Sequence, residues 1–199
     1  MAHVALIDYG AGNLRSVANA LEHLGADFEV TADPEVVASA AKVVFPGVGA
    51  AASCVRELAA RGLVEAIRSQ RGRVLGICLG MQVLTESSAE GAEAVPCLGI
   101  LPGRTERFGT GVKVPQMGWN TVAPRRDDPL FAGIPAGEHF YFLHAYRVRT
   151  SPEHVLAETE YDGPYASAVR RANFWGVQFH PEKSGPAGLR LLRNFLDRC

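Results

Sequence analysis

The chain has 199 residues, 47% of them hydrophobic and 21% charged, with a formal net charge of −1. This suits a globular chain with a core of its own, and it speaks against nucleic-acid and membrane partners, which call for strong positive charge or long apolar runs. The four cysteines, Cys54, Cys78, Cys97 and Cys199, lack any CxxC spacing, so reduced thiols in a cytoplasmic setting are expected, without disulfides, metal or cofactor.

His3 to Asp8 reads as a first strand, and Asn13 to Leu24 as a helix with Leu14, Val17, Leu21 and Leu24 on one stripe. Asn13 is its expected cap and Gly25 its stop. Asp27 to Thr31 is a short strand, Asp33-Pro34 a cap with a first-turn proline, and Lys42 to Phe45 a third strand. Helical stretches at about Ala51 to Ala60 and Leu63 to Gln70 lead to an apolar β-branched run, Arg73 to Ile77. Leu79 to Ser87 then shows helical spacing. Strands alternating with helices predict an α/β fold with a mainly parallel central sheet and helices on both faces. Sites in such sheets lie beyond the carboxyl ends of strands, where Asp8, Pro46–Gly49 and Cys78 all fall.

Beyond about residue 95 short strand candidates take over: Cys97 to Leu101, His139 to Leu143, Tyr146 to Thr150, Val155 to Thr159, Ala166 to Arg170 and Phe174 to Phe179. They predict antiparallel strands added to the parallel core. Pro186 to Arg198 closes the chain as a helix with Leu189, Leu192 and Leu196 on one face. No repeat or linker interrupts the chain, so one domain over 1–199 is expected. The pairs Arg125-Arg126 and Arg170-Arg171 read as solvated faces.

Cys78 sits at the predicted strand-to-helix turn with Gly76 and Gly80 two residues away on each side. That is the pattern of a nucleophile elbow with sulfur in place of a hydroxyl. A helix N-terminus favours both a thiolate and a developing oxyanion. A structural cysteine closing a core strand fits the same five residues. The segment Gln178-Phe-His180-Pro181-Glu182 supplies what a cysteine nucleophile needs: a base, and a carboxylate to orient it. In an extended segment His180 and Glu182 point to the same side; alone, the pair would also suit a surface turn.

On these residues the chain resembles the class I, triad-type glutamine amidotransferases, whose fold is flavodoxin-like. Asp8-Tyr9-Gly10-Ala11-Gly12-Asn13, Pro46-Gly47-Val48-Gly49, Lys113–Asn120 and His180–Gly185 look like those of the glutaminase subunits of imidazole glycerol phosphate synthase. The resemblance implies a Cys78–His180–Glu182 triad that releases ammonia from glutamine. It implies oxyanion donors at the backbone of Val48 and Leu79, and glutamine contacts at Gly47, Gly49, Gln82 and Ala145. Ala145 stands where the family often has a hydroxyl residue. Asn13, Trp119, Tyr141 and Lys183 would face a partner, a barrel-shaped cyclase subunit that uses the ammonia in histidine biosynthesis. The alternatives are another triad amidotransferase or a free-standing thiol hydrolase, and a non-enzymatic flavodoxin-like redox sensor or chaperone built round a reactive cysteine.

Overall fold

The computed structural model describes residues 3–10 and 13–199. Thirteen strands among the described residues form one mixed sheet. Its parallel part is β2 (Phe28–Thr31), β1 (Val4–Ile7), β3 (Lys42–Gly47), β4 (Arg73–Cys78) and β13 (Phe174–Val177), in that order. The carboxyl ends of β1, β3, β4 and β13 therefore meet at one edge.

Beyond β13 the pairing is largely antiparallel. The path runs through β12 (Pro164–Arg171), β10 (Tyr146–Arg149), β7 (Leu101–Arg107), β5 (Thr85–Ser88) and β6 (Val95–Pro96). A branch from β12 adds β11 (Val155–Glu160), β8 (Gln116–Pro124) and β9 (Glu138–His144).

The parallel strands are buried on both faces, and their alternate residues feed two cores. Val4, Leu6, Val44, Leu75 and Ile77 pack with α1 (Leu14–His23) and α6 (Gly185–Asp197). Ala5, Ile7, Val43, Phe45 and Val74 face the other way, against α2 (Pro34–Ser39), α3 (Ala51–Ala60) and α4 (Leu63–Arg68). Asp33 caps α2 as its sequence implies, accepting from the Glu35 N–H at 2.8 Å. No helix among the described residues is long and apolar enough to cross a membrane.

Several elements differ from the sequence reading. The helix after Cys78, α5, covers only Leu79–Val83. The carbonyls of Val83 and Leu84 accept N–H groups from Leu98, Ile100 and Leu101, and Thr85 Oγ1 donates to the Gln82 carbonyl. The chain is thereby drawn into β5 instead of continuing as helix. Cys97 to Ile100 is a loop between β6 and β7. The long strand β8 has no counterpart in the sequence reading: Trp119 lies within it, paired with Tyr141 of β9. Glu182 lies in a 3-10 turn, Pro181–Lys183, not in an extended segment. Arg170 is not merely solvated, since it ion-pairs with buried Asp128 at 2.8 Å and lies over the Trp175 ring.

Candidate active site

Cys78 occupies the junction of β4 and α5 with φ 54° and ψ −107°. A non-glycine residue in this region costs about 1–3 kcal/mol and persists only where its surroundings enforce it. Two glycines do so here. A Cβ on Gly80 would collide with the Phe45 carbonyl oxygen, and one on Gly76 would stand 2.8 Å from Gly80 C and Met81 N. The α5 turn can fold this tightly over β3 and β4 only because both lack side chains.

Gly47 is paired with Cys78 in the β3–β4 register, so the Gly47–Gly49 strand runs beside Cys78. A Cβ on Gly47 would meet Tyr9 Oη at 2.6 Å and Leu79 Cβ at 2.9 Å. Gly47 therefore packs behind the site. The cavity wall beside it is formed by Val48 and Gly49.

His180 follows β13, and its environment is fixed on three sides. Its N–H donates to the Tyr141 carbonyl at 2.9 Å, and its carbonyl accepts from Ser184 Oγ at 2.6 Å. Ser184 Oγ in turn accepts from the Tyr141 N–H at 3.0 Å, tying β9 to the catalytic segment. Gly188 lets α6 lie directly on Pro181. The imidazole Nδ1 is 2.8 Å from Glu182 Oε1, and both side chains are almost wholly buried. Nε2 is buried and makes no hydrogen bond, and the Cys78 sulfur is close enough to be among the groups that raise the imidazole pKa.

Burial by itself pulls the His180 pKa down, but the neighbouring sulfur and the Glu182 carboxylate outweigh it and raise it to about 10. His180 is therefore held as the imidazolium at neutral pH. His144 behaves oppositely. Burial pushes its pKa down to about 4, and Nδ1 bonds the Tyr146 carbonyl at 2.8 Å. It is a neutral hydrogen-bonding residue and no second base.

Asn13 takes a different place from the one its sequence implies. It stands at the N-cap of α1 with φ 72°, but its side chain makes no cap bond. Its Nδ2 donates instead to Glu182 Oε1 at 2.5 Å. The rest of the Asp8–Asn13 turn includes Ala11 and Gly12, which lie outside the described residues.

A cavity of about 220 Å³ opens over Cys78. Val48, Gly49 and Leu79 form one wall, Leu143 to Tyr146 with Ala145 another, and Gln82, Glu90, His180 and Lys183 complete it. Glu90 and Leu143 carried no signal in the sequence. The Glu90 Oε2 accepts from the Ala51 N–H at 2.7 Å, which holds a carboxylate at the rim. Trp119 and Tyr141 are outside the cavity. Their rings meet edge to face at 6.1 Å, and Trp119 is 57% exposed beside exposed Met117. A larger groove of about 750 Å³ along Pro124 to Ala136 includes no cysteine or histidine. No cluster of three or more His, Cys, Asp or Glu among the described residues is placed to hold a metal.

A strained cysteine at a strand-to-helix turn, near a carboxylate-held imidazole, is an arrangement suited to thiol acyl transfer. The family model for class-I glutamine amidotransferases matches residues 5–199. The chain is 51% identical to the imidazole glycerol phosphate synthase subunit HisH of Aromatoleum aromaticum, over 98% of each chain. It is 50% identical to that of Thiobacillus denitrificans, over 97% of this chain and 90% of the relative. The fold is similar to a chain in the solved structure of PurLQS from Thermotoga maritima, with TM-score 0.74 and 19% identity over 99% of each chain. The chain thus belongs to the class-I glutamine amidotransferase family, and within it to the group of HisH subunits of imidazole glycerol phosphate synthase.

Proposed function

We propose that residues 1–199 form one glutaminase domain, in which Cys78, His180 and Glu182 release ammonia from glutamine for a barrel-shaped cyclase subunit that makes imidazole glycerol phosphate in histidine biosynthesis. The observation that carries this is the buried Glu182–His180 pair aimed at the strained Cys78 under an amino-acid-sized cavity. The cytoplasm is the compartment such a biosynthetic pair would occupy. Neither nucleic acid nor membrane enters the reading.

The Cys78 thiolate attacks the side-chain amide carbon of glutamine. The oxyanion is received by the backbone N–H groups of Leu79 and Val48. His180 gives its proton to the departing nitrogen, ammonia leaves, and a thioester remains. His180 then takes a proton from water, the hydroxide attacks the thioester, and glutamate departs with the thiolate restored. Gly49, Gln82 and Ala145 line the bound substrate, and the Glu90 carboxylate pairs with its ammonium group. Trp119, Tyr141 and Lys183 would meet the cyclase, with exposed Met117 extending the apolar patch. Asn13 joins that face to Glu182.

The test of this reading is ammonia release from glutamine, measured with and without the cyclase and its nucleotide. Glutamine-dependent release by the complex is expected; a complex that forms product only from added ammonium would overturn it.

Glu182→Gln should lower kcat, but by a factor on the order of 10² less than loss of the nucleophile does, because an orienting group is less essential than a reacting one. Its pH profile carries the sharper readout. The step that releases ammonia needs protonated His180, and Glu182 is one of the groups that raise its pKa. Removing that charge should move the alkaline limb of the rate profile to lower pH. An unmoved limb would mean that Glu182 does not set the imidazole's charge.

Ala145→Ser should be tolerated and leave the KM for glutamine equal or lower, since a hydroxyl at the cavity wall adds a hydrogen bond to a polar substrate. A several-fold rise in KM would show that the wall is shaped around the alanine methyl.

A further inference from the structure

A buried carboxamide that no step above requires, Gln178, lies against Cys78, and Gln82 of the cavity wall lies against Gln178 in turn. Gln178 has no exposed surface and Gln82 is nearly as deep. Gln178 follows β13, whose last residue, Val177, is paired with Ile77 of β4; this brings Gln178 alongside Cys78. Gln82 lies one turn into α5 and lines the cavity.

The orientation of both amides is forced. The Tyr146 carbonyl can only accept, so the end of Gln82 that meets it at 2.9 Å is the nitrogen. The same nitrogen lies 3.0 Å from Gln178, so Gln178 turns its oxygen to Gln82. The Gln178 nitrogen is left facing the Cys78 sulfur at 3.6 Å. On another side of the sulfur stands the Leu143 carbonyl oxygen, at 3.7 Å. That oxygen can accept only from the neutral S–H.

We propose that Gln178 is a further catalytic residue, an N–H donor that stabilises the Cys78 thiolate. The two protonation states of the sulfur have separate partners. The thiol donates to Leu143. When its proton passes to His180, that bond is lost and the Gln178 N–H gains an anionic acceptor, which strengthens the bond. Gln82 keeps the donor turned toward sulfur, and its own oxygen is freed for the cavity. The nucleophile and the substrate wall are thus joined through one chain of amides, anchored at Tyr146.

This deepens the glutaminase reading and rests on it for the role of Cys78, but its test consumes no glutamine. The rate of Cys78 alkylation by iodoacetamide, followed against pH, reports the thiolate directly. Burial holds the other thiols protonated, with Cys54 pushed up to about 12 and Cys97 and Cys199 to about 11, so they contribute little. A Cys78→Ala chain supplies the blank. Gln178→Met keeps the length of the side chain and Gln178→Leu its approximate volume, and both remove the donor.

The alkylation midpoint should rise by about one pH unit or more, and kcat in the complex should fall about 10- to 100-fold, the usual worth of a hydrogen bond to a charged group. Circular dichroism and thermal melting identify folded variants, and either one decides. A folded variant with an unmoved midpoint overturns the proposal, whatever its kcat. If the midpoint rises but the unaltered complex never turns over glutamine, the glutaminase reading fails while the Gln178 contact stands.

Discussion

Cys78→Ala is expected to remove glutamine-dependent synthesis by a factor on the order of 10⁴ or more, the scale seen when a covalent nucleophile is deleted. The same variant should leave the complex able to use added ammonium, because the proposed role of the thiol is confined to the release of ammonia. The structure makes this a clean substitution. Alanine tolerates the turn no worse than cysteine does, since the strain at φ 54° is imposed by Gly76, Gly80 and the approach of β3, not by the sulfur. The sulfur itself is held only weakly, by Leu143 O and Gln178 Nε2, so little packing depends on it. The fold and the partner face should therefore persist, as thermal melting and complex formation would show. Retention of more than a trace of glutamine hydrolysis would rule out Cys78 as the nucleophile. His180→Ala should behave in the same way.

The parts of this molecule that were legible in the sequence are those where local chemistry and global position agree. The β-branched runs at Val43–Phe45 and Val74–Ile77 are buried on both faces, so no other conformation suits them. Cys78 with its two glycines, and His180 with Glu182, were legible because the elements that carry them end at the same sheet edge. What was hidden depends on long-range partners. The shortness of α5 is set by the loop at Leu98–Leu101, which claims its last carbonyls. β8 combines glycine at φ 130° with exposed Met117 and Trp119, and its pairing with β9 and β11 makes it a strand. Asn13 has the composition of a helix cap, yet Glu182, 169 positions away, takes its side chain. Gln178 stands two residues before His180 in the same segment, but its role shows only once Gln82 and Tyr146 fix which way its amide turns.

The free chain should hydrolyse glutamine slowly, and the cyclase with bound nucleotide should raise its kcat by roughly 10²–10³-fold while changing KM little. This is the cost of one absent oxyanion donor, which acts on the transition state and not on ground-state binding. The donor proposed for this role is the Val48 N–H. It lies between Gly47 and Gly49, and Gly49 already sits at φ 98°, a region open to glycine. A Cβ at Gly49 would meet nothing within 4 Å, so that end of the strand has open space on its Cβ side. Glycine on both sides lowers the cost of reorienting the Gly47–Val48 peptide, whose N–H also meets the Tyr9 hydroxyl, so a partner with a preference for one state can decide its population. Lys183 is placed to transmit that preference. It lines the cavity and follows Glu182 in the same 3-10 turn, so force on its side chain reaches the triad directly. Steady-state kinetics on the free chain, the complex, and the complex with nucleotide separate the cases. A free chain that already matches the liganded complex would mean the strand needs no partner. If the switch operates as described, the activation appears in kcat, and Gly49→Ala, which strains the strand at its positive φ, changes the ratio between free and activated rates more than it changes KM.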